Sequence, residues 1–359
     1  MTIWMTLALV ACNGDTTGDS GTDSDSGTTG VDVPDFFLMA DDLDSGMLLA
    51  SWSDGDTMIS VGGDLGSGPG TLTRYADGEL CIEADVHDRG LWWIHGPSDG
   101  EWYAVGFEGR ILHSVDGERT VEDVDTEATL YGVWAGDDGV VWAVGWTGTG
   151  TNEGEIWQRV DGTWSLHTGG LPGALFKVWD GWIVGDDQIY QWDGDTWVSH
   201  DTVWLLDDDT GELYEETVAS DLARDWDGVR LLTLRGRNNT DDVWAVGGDY
   251  SSLMLHFDGS RWEEITTDGV GQPLNGVWTA PGEDVWVAGH FGTTAAWNSD
   301  TETWLMAGFP VTNQHFHSVW KHQDEVFWGG GNLFSSGGNV GTLARYGDDP
   351  STVEATACE

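Results

Sequence analysis

The chain has 359 residues, and 63 Asp and Glu residues against 13 Lys and Arg residues give it a net charge of −50. Nucleic acids and anionic membrane surfaces are bound by clustered basic residues, so this balance argues against either as the main partner. Hydrophobic residues make up 39% of the chain and aromatic residues 11%, which is enough for a sizeable core and excludes a wholly disordered protein.

The N-terminus contains a short apolar run that ends in a cysteine. Residues 3–11 are too few to cross a bilayer as a helix, which takes about 20 residues. The sequence Leu9-Val10-Ala11-Cys12 resembles the lipobox of bacterial lipoproteins, in which the cysteine becomes acylated. The resemblance implies a signal peptide over residues 1–11 and a lipid anchor on Cys12, and a chance cysteine after small residues is the alternative.

A polar segment follows the cysteine. Residues 13–32 contain only Gly, Asp, Ser, Thr, Asn and Val. Such a segment buries too little apolar surface to offset the entropy lost on ordering it. We therefore predict a flexible linker over residues 12–32 and a folded body over residues 33–359.

A strand-like motif that ends in glycine recurs seven times in the body. Typical copies are VWAVG, which ends at Gly145 and again at Gly247, and VWVAG, which ends at Gly289. Successive copies lie about 40 residues apart, except that the step from Gly185 to Gly247 is 62 residues. This spacing predicts seven structural repeats with one insertion, at residues 200–228.

Each repeat has further strands around this motif. A run of the form hydrophobic-x-x-x-Trp precedes it in most copies, and an Asp-Gly dipeptide such as Asp161-Gly162 follows it in most. Asp-Gly between two alternating strands supplies the positive φ angles of a tight hairpin turn. Four antiparallel strands in about 40 residues are the signature of a β-propeller blade. We predict an all-β, seven-bladed β-propeller with four-stranded blades near residues 47–86, 91–124, 130–168, 175–200, 231–266, 274–307 and 315–357.

The repeats resemble those of Trp-rich propeller lipoproteins of bacteria and, more loosely, those of the Asp-box (BNR) and kelch families. The Asp-box pattern Ser-x-Asp-x-Gly-x-Thr-Trp is met in part, by Gly162-Thr163-Trp164 and by Asp195-Thr196-Trp197. The resemblance implies a propeller fold over about 300 residues and no particular activity.

The tryptophans divide into two groups by their place in the repeat. Those at fixed repeat positions are predicted to pack between blades, because a ligand site rarely needs seven copies of one side chain. This group includes Trp134, Trp142, Trp244, Trp278 and Trp286. Trp146 and Trp204 fall outside the register and are candidates for contact with a sugar or a peptide.

Propeller geometry also assigns the loops to two faces. The loops between the second and third strands of each blade share one face with the connections between blades. The longer loops and the insertion are predicted on that face, where binding residues normally lie. The candidate binding residues are Asp64, Trp146, Asp186, Asp187, Trp204, Asp249, Tyr250, His290 and Phe291.

Two groups of residues suggest metal ligands. Asp186, Asp187 and Asp249 follow strand-ending glycines, and a ring of such carboxylates could hold calcium, with a solvated acidic rim as the competing interpretation. His315 and His317 alternate along one predicted strand, which would place both on one face as metal ligands require. Ordinary core or surface histidines are the alternative for this pair.

Two devices are predicted to close the ring between blades one and seven. Cys81 lies in the predicted fourth strand of blade one and Cys358 follows blade seven, and these blades are neighbours in a closed propeller, so a disulfide could join them. Alternatively, or in addition, residues 36–39 could add a strand to blade seven. The segment that follows in sequence and would otherwise form the fourth strand of blade seven, within residues 351–357, is poor in strand-forming residues.

These features predict function only in outline. No His-Glu-x-x-His or phosphate-binding loop occurs, and no catalytic residue is assigned and no cofactor is expected. We predict a propeller anchored in the cell envelope, at the outer membrane, that binds or scaffolds a protein or glycan partner. The alternative is an extracellular glycan-active hydrolase or lyase, which would need two carboxylates about 5–10 Å apart in an axial pocket.

Overall fold

The computed structural model describes residues 34–358, apart from 66–67, 99, 149, 208, 219–228, 238–240 and 333–338. The predicted signal peptide, Cys12 and the linker lie outside the described residues. Within the described part of the chain, no helix is long and apolar enough to cross a membrane. The described body is an all-β, seven-bladed propeller, as predicted, and the first strands of its blades contact one another around a closed ring.

The first strand in the chain, β1 (Asp35–Leu43), belongs to blade seven. Blade one consists of β2 (Met47–Ser53), β3 (Met58–Gly63), β4 (Gly70–Ala76) and β5 (Glu79–His87). Blade two consists of β6 (Leu91–Ser98), β7 (Glu101–Gly106), β8 (Ile111–Val115) and β9 (Glu118–Val121). Blade three consists of β10 (Thr129–Ala135), β11 (Val141–Trp146), β12 (Glu153–Val160) and β13 (Thr163–Pro172).

Blade four consists of β14 (Leu175–Trp179), β15 (Trp182–Gly185), β16 (Gln188–Trp192) and β17 (Trp197–Ser199). A hairpin of β18 (Thr202–Leu206) and β19 (Leu213–Thr217) follows. Blade five consists of β20 (Leu231–Gly236), β21 (Val243–Gly247), β22 (Leu253–Phe257) and β23 (Trp262–Glu264). Blade six consists of β24 (Leu274–Trp278), β25 (Val285–Gly289), β26 (Thr294–Asn298) and β27 (Thr303–Met306). The last strands are β28 (His315–His322), β29 (Glu325–Gly331), β30 (Gly341–Gly347) and β31 (Ala355–Ala357).

The Asp-Gly dipeptides form the hairpin turns that the sequence predicts. Asp161 has φ 50° and Gly162 has φ 78° in the turn between β12 and β13, and Asp77-Gly78 has the same positive angles between β4 and β5. Two consecutive positive φ values define the turn that matches the right-handed twist of paired strands. The dipeptide therefore sets the register of the outer two strands in these blades.

The repeated tryptophans pack between blades, as predicted. Trp142, Trp244, Trp278 and Trp286 are between 1% and 6% exposed, and Trp134 is half-buried. Trp142 on β11 packs with residues of the next blade, in a cluster with Leu175 and Tyr190. The large flat rings fill the space between sheets that diverge outward from the axis.

The first strand of every blade carries a β-bulge near its N-terminal end. The extra residues are, from blade one to blade seven, Leu49, Trp92, Tyr131, Phe176, Leu232, Asn275 and His317. In a bulge, two residues of one strand lie opposite one residue of the neighbouring strand. This interrupts the alternation of side chains between the two faces of the sheet. The prediction that His315 and His317 share a face by simple alternation is therefore wrong, because the bulge falls at His317.

The chain ends exchange strands between the last and first blades. β1 pairs with β30 as the outer strand of blade seven, as predicted for residues 36–39. β31 instead pairs in parallel with β5 of blade one, so the predicted blade-seven range of 315–357 is wrong at its C-terminal end. The nine residues of β1 bury Met39 completely, whereas β31 has only three residues, and this difference explains which segment completes the blade.

The predicted pair of cysteines lies at this seam. Cys81 on β5 and Cys358, directly after β31, form a disulfide with Cα atoms 5.0 Å apart. The Cys358 N–H also donates to the Ile82 carbonyl at 3.1 Å. Covalent and non-covalent closure therefore occur together.

The described part of the insertion lies at the rim of blade five and not on the loop face where it was predicted. β18 pairs with β19 and, in parallel, with β23, the outer strand of that blade. An outer strand presents unpaired backbone groups at its edge, and the hairpin pairs with them. Blade five thus becomes a six-stranded sheet.

Candidate functional site

The turns that follow the second strand of each blade lie together on one side of the propeller, with the connections between blades. We call this side the loop-rich face. The described residues of its turns are 64–65, 68–69, 107–110, 147–148, 150–152, 186–187, 248–252, 290–293, 332 and 339–340. All of the predicted binding residues except Trp204 lie in these turns or at the strand ends beside them. The face therefore gathers eight of the nine predicted residues, from five blades.

Asp186 and Asp249 are brought together by an arginine that the sequence reasoning missed. The Arg230 guanidinium donates to Asp186 from Nε and contacts Asp249 Oδ1 at 2.8 Å from Nη1. Burial raises the pKa of Asp186 against the opposing charge of Arg230. Among the described residues, no group of three or more His, Cys, Asp or Glu side chains could hold a metal, so an arginine-bridged acid pair takes the place of the predicted carboxylate ring.

The other polar candidates are tied to neighbouring loops. Asp64 Oδ1 accepts a hydrogen bond of 2.8 Å from Asn339 Nδ2 of blade seven. Trp146 Nε1 donates to Asn152 Oδ1, 3.1 Å away within its own turn, and the indole is half-buried. These contacts order the loops and leave Trp146 only partly available to a ligand.

Trp204 does not belong to this face. It lies on β18 at the outer edge of blade five, where the Arg261 guanidinium sits 4.5 Å from the centre of its ring. Trp204 was predicted on the loop-rich face because the insertion was expected to emerge there. Its strand instead pairs with the edge strand β23, which puts Trp204 at the rim of blade five.

Three large aromatic side chains are exposed on neighbouring blades of the loop-rich face. Tyr250 is 70% exposed in blade five and Phe291 is 53% exposed in blade six. Phe309, in the connection from blade six to blade seven, is 87% exposed and was not predicted. We call these three residues the aromatic patch. Exposed aromatic clusters on an otherwise polar surface are typical of interaction sites.

The loops that carry Phe291 and Phe309 contact each other. The Gly292 N–H donates to the Gln314 carbonyl at 2.6 Å. A groove of about 180 Å³ between the loops is lined by residues of both, including Met306 and Pro310. The groove therefore lies between the loops that carry the two phenylalanines.

Phe291 has a backbone conformation that bulky residues rarely adopt. Its φ is 53°, in the left-handed region, within the short 3₁₀ turn His290–Gly292. The ring lies 4.8 Å from the ring of His315, and His290 lies 4.7 Å from His315. A non-glycine residue in this region stores strain that the surrounding structure must offset. The strain here holds an aromatic ring at the surface.

A cavity lies on the propeller axis. Its volume is about 230 Å³, and all seven bulge residues line it, together with Trp93, Lys177 and Thr233. The bulges explain how each blade directs one additional side chain toward the axis. The sequence contained a signal for this cavity. In three successive blades an aromatic residue follows the first hydrophobic residue of the repeat, as in LWW, LYG and LFK.

The axial cavity is polar on one side and aromatic on the other. Asn275 and His317 belong to blades six and seven, whereas Trp92, Tyr131 and Phe176 belong to blades two to four, with Tyr131 in edge contact with both neighbouring rings. Burial lowers the pKa of His317 to about 3, and the nearby positive groups add to this effect. None of the ten lining residues is Asp or Glu, so the carboxylate pair that the hydrolase alternative needs does not lie here.

A larger concavity, of about 530 Å³, lies between blades two and three. Its half-buried acid, Glu122, accepts hydrogen bonds from Arg159, His113 and Trp164 at 2.7–3.0 Å. Burial raises the pKa of Glu122, but these contacts outweigh that effect and lower it. Since its partners come from blades two and three, Glu122 belongs to a structural network between these blades.

Comparison with known proteins defines the fold and leaves the family open. No protein-family model and no curated protein matches the chain. The structure of YCF48 bound to D1 peptide matches with a TM-score of 0.57 at 17% identity, over 88% of this chain and 97% of that one. The WD40 β-propeller domain of Doa1 matches with a TM-score of 0.57 at 13% identity, over 88% and 97% of the two chains.

A third match is an enzyme. Selenomethionine-substituted virginiamycin B lyase from Staphylococcus aureus has a TM-score of 0.59 at 13% identity, over 87% of this chain and 98% of that one. Peptide-bound, WD40 and enzymatic propellers thus share this architecture at low identity, which shows the fold alone.

Proposed function

We propose that the protein is a lipid-anchored binding module of the cell envelope that binds a protein partner through the aromatic patch. The observation that carries this proposal is Phe291, an exposed aromatic residue held in a left-handed backbone conformation. Strain that keeps an apolar ring in solvent has no benefit for folding and is typical of functional sites.

The composition of the patch favours a protein over a glycan. Exposed Tyr and Phe side chains supply the rigid contact area on which protein interfaces depend. The propeller of YCF48 carries a bound peptide, which supports the same use of the fold. A surface in a chain of charge −50 attracts basic partners at long range, so the partner is expected to present an apolar anchor surrounded by Lys or Arg.

Peptide selection tests this proposal. A displayed random-peptide library is selected on the full-length protein, and enriched peptides are measured by titration against Phe291→Asn and Phe309→Ser variants. Each variant is expected to weaken binding about tenfold or more, as truncation of a hot-spot residue does. Leu166→Ser is the matched control, because Leu166 is 50% exposed on the outer strand of blade three.

Two results would overturn the proposal. One is enriched peptides that bind the two phenylalanine variants as tightly as the unchanged protein. The other is a library that enriches no peptide while a glycan array on the same protein gives binding that the Phe309→Ser variant abolishes, which would assign the patch to a glycan.

The anchor is tested separately, since Cys12 lies outside the described residues. Cys12→Ser is expected to move the protein from the membrane fraction to the soluble fraction, because a buried acyl chain provides most of the membrane affinity. Fractionation with unchanged membrane content would show that the lipobox resemblance is misleading. The outer-membrane location is proposed on the same resemblance and would be checked by density-gradient separation of the two membranes.

A further inference from the structure

The axial cavity contains a lysine that has no acidic partner. Lys177 is one of two lysines in the chain and is 7% exposed. Its Nζ donates to the Tyr131 carbonyl at 2.7 Å and lies 3.7 Å from the centre of the Trp93 ring. No carboxylate among the described residues forms an ion pair with Lys177, although the chain contains 63 Asp and Glu residues.

The second lysine shows the ordinary arrangement. Lys321 Nζ lies 2.7 Å from Glu283 Oε1 near the surface. An ammonium group has three donors, and the hydrogen bond to Tyr131 uses one of those on Lys177. Burial without a counter-ion lowers the pKa of Lys177 well below its ordinary value. An anionic group that enters the cavity would stabilise the charged ammonium form.

Two further groups in the cavity lining have unsatisfied nitrogens. Trp92 Nε1 and His317 Nε2 are buried and have no hydrogen-bond partner among the described residues. An indole N–H can only donate, so Trp92 also requires an acceptor. Native structures leave few such groups, and each calls for an explanation such as a bound molecule.

The rest of the lining sets the size and polarity of the occupant. The aromatic side of the cavity offers the rings of Trp93, Tyr131 and Phe176. A volume of about 230 Å³ equals roughly eight waters at about 30 Å³ each. Bonded atoms lie closer together than separate waters, so a molecule of about ten non-hydrogen atoms fits. The occupant is therefore small, and it combines a planar apolar part with an anionic acceptor.

We propose that the axial cavity is a binding site for a small aromatic monocarboxylate. Its carboxylate accepts hydrogen bonds from Lys177 Nζ and Trp92 Nε1, and its ring packs against the aromatic side chains of blades two to four. This site is distinct from the aromatic patch and does not depend on it.

Fluorine NMR of 4-fluorophenylacetate with the full-length protein tests the proposal. The line is expected to broaden and shift on binding, with the amide 4-fluorophenylacetamide giving no effect because it lacks the charge. Lys177→Met is expected to weaken binding about 10- to 100-fold, the usual effect of losing a charge-assisted hydrogen bond. Lys321→Met is the matched control and should bind like the unchanged protein.

A second variant keeps the test independent of any folding defect in Lys177→Met. Trp92→Phe retains the aromatic ring and removes Nε1, and it is expected to weaken binding about three- to tenfold, as loss of one hydrogen bond does. The proposal is overturned if millimolar acid gives no line broadening, if acid and amide bind equally, or if the folded Lys177→Met protein binds as tightly as the Lys321→Met protein.

Discussion

The seam between blades seven and one contrasts with the axis of the propeller. At the seam, the disulfide of Cys81 and Cys358 is joined by two exchanged strands. The buried guanidinium of Arg345 contacts Asp349 at 2.7 Å and Glu325 at 3.8 Å. At the axis, each blade contributes a bulge instead of a regular pair, and the buried Lys177 lacks an acidic partner among the described residues.

This difference indicates what each region is for. The disulfide, the two exchanged strands and the ion pairs of Arg345 each add a contact at the seam, which is expected where a ring made from one chain must be held closed. The unusual features of the axis remove contacts or bury unmatched groups, and such local departures from good packing concentrate at functional sites. The following predictions test whether the seam stabilises the fold while the axis lowers its stability.

The largest effect is expected from the disulfide. It closes a loop over 277 residues of sequence separation, and in the chain-entropy model such a loop contributes about 5 kcal/mol. The double variant Cys81→Ser, Cys358→Ser is expected to lose about 2–5 kcal/mol in urea unfolding, since β1 and β31 still hold the seam. Reductant should destabilise only the unchanged protein, and equal unfolding curves for all samples would show that strand exchange alone closes the ring.

Replacing each buried cation by methionine compares the two regions directly. Arg345→Met leaves Glu325 and Asp349 without their partner, and we expect a loss of about 2–3 kcal/mol. Lys177→Met removes a buried amine that has no acidic partner, and we expect a change in stability within about 1 kcal/mol, neutral or stabilising. Urea unfolding of both variants measures the difference. A larger loss of stability for Lys177→Met than for Arg345→Met would show that the axis, and not the seam, stabilises the fold.

The axis should also make stability depend on pH. His95 lines a second, smaller cavity on the axis, together with Lys177 and Arg235. Burial, with the charge of Arg235, lowers the pKa of His95 to about 3 from the ordinary 6.5. Below pH 6.5 the unfolded chain binds a proton that the folded protein does not, so this residue makes stability fall as the pH drops toward about 3. The slope from one such group is about 1 kcal/mol per pH unit.

Urea unfolding at several pH values would measure this slope. The His95→Asn variant keeps an acceptor for the Ala135 N–H and is expected to show a shallower loss of stability in acid. The control is His167→Asn, since His167 is exposed on β13, and its curve should run parallel to that of the unchanged protein. Equal slopes for the two variants would mean that His95 is protonated in the folded state.

Much of this comparison could be predicted from the sequence, and particular residues show where the prediction stopped. The spacing of Gly145, Gly247 and their counterparts predicted seven blades, because a repeat that buries its core against its neighbours must keep a constant length. The seam was predicted because Cys81 and the residues around Phe36 have roles that follow from ring closure alone.

The axis was not predicted, because a bulge changes the direction of a side chain without changing the composition of the strand. His317 reads as part of an alternating strand, yet it lines the axial cavity. Trp204 was misplaced for a similar reason, since nothing in its sequence signals pairing with the edge of β23. Phe309 lies in a connection whose length and composition carry no repeat signal, so its exposure appears only in the structure.

The smallest effect is expected at Phe291, where the aromatic patch extends the comparison to the loop-rich face. The equivalent turn of blade two has Glu108 with φ 52°, and its carboxylate contacts Arg89 at 3.4 Å and Arg110 at 3.8 Å. A left-handed conformation is unfavourable by about 1–2 kcal/mol for a residue other than Gly, Asn or Asp. Phe291→Asn is therefore expected to gain about 0.5–1 kcal/mol of stability after its contact with His315 is lost.

Glu108→Asn is the matched variant. It relieves the same backbone conformation but also removes the ion pairs of Glu108, so its gain in stability should fall to about zero. Thermal unfolding of both variants at one pH compares their stabilities. A clear loss of stability in Phe291→Asn would mean that the Phe291 ring packs as part of the core and that its backbone conformation does not serve binding.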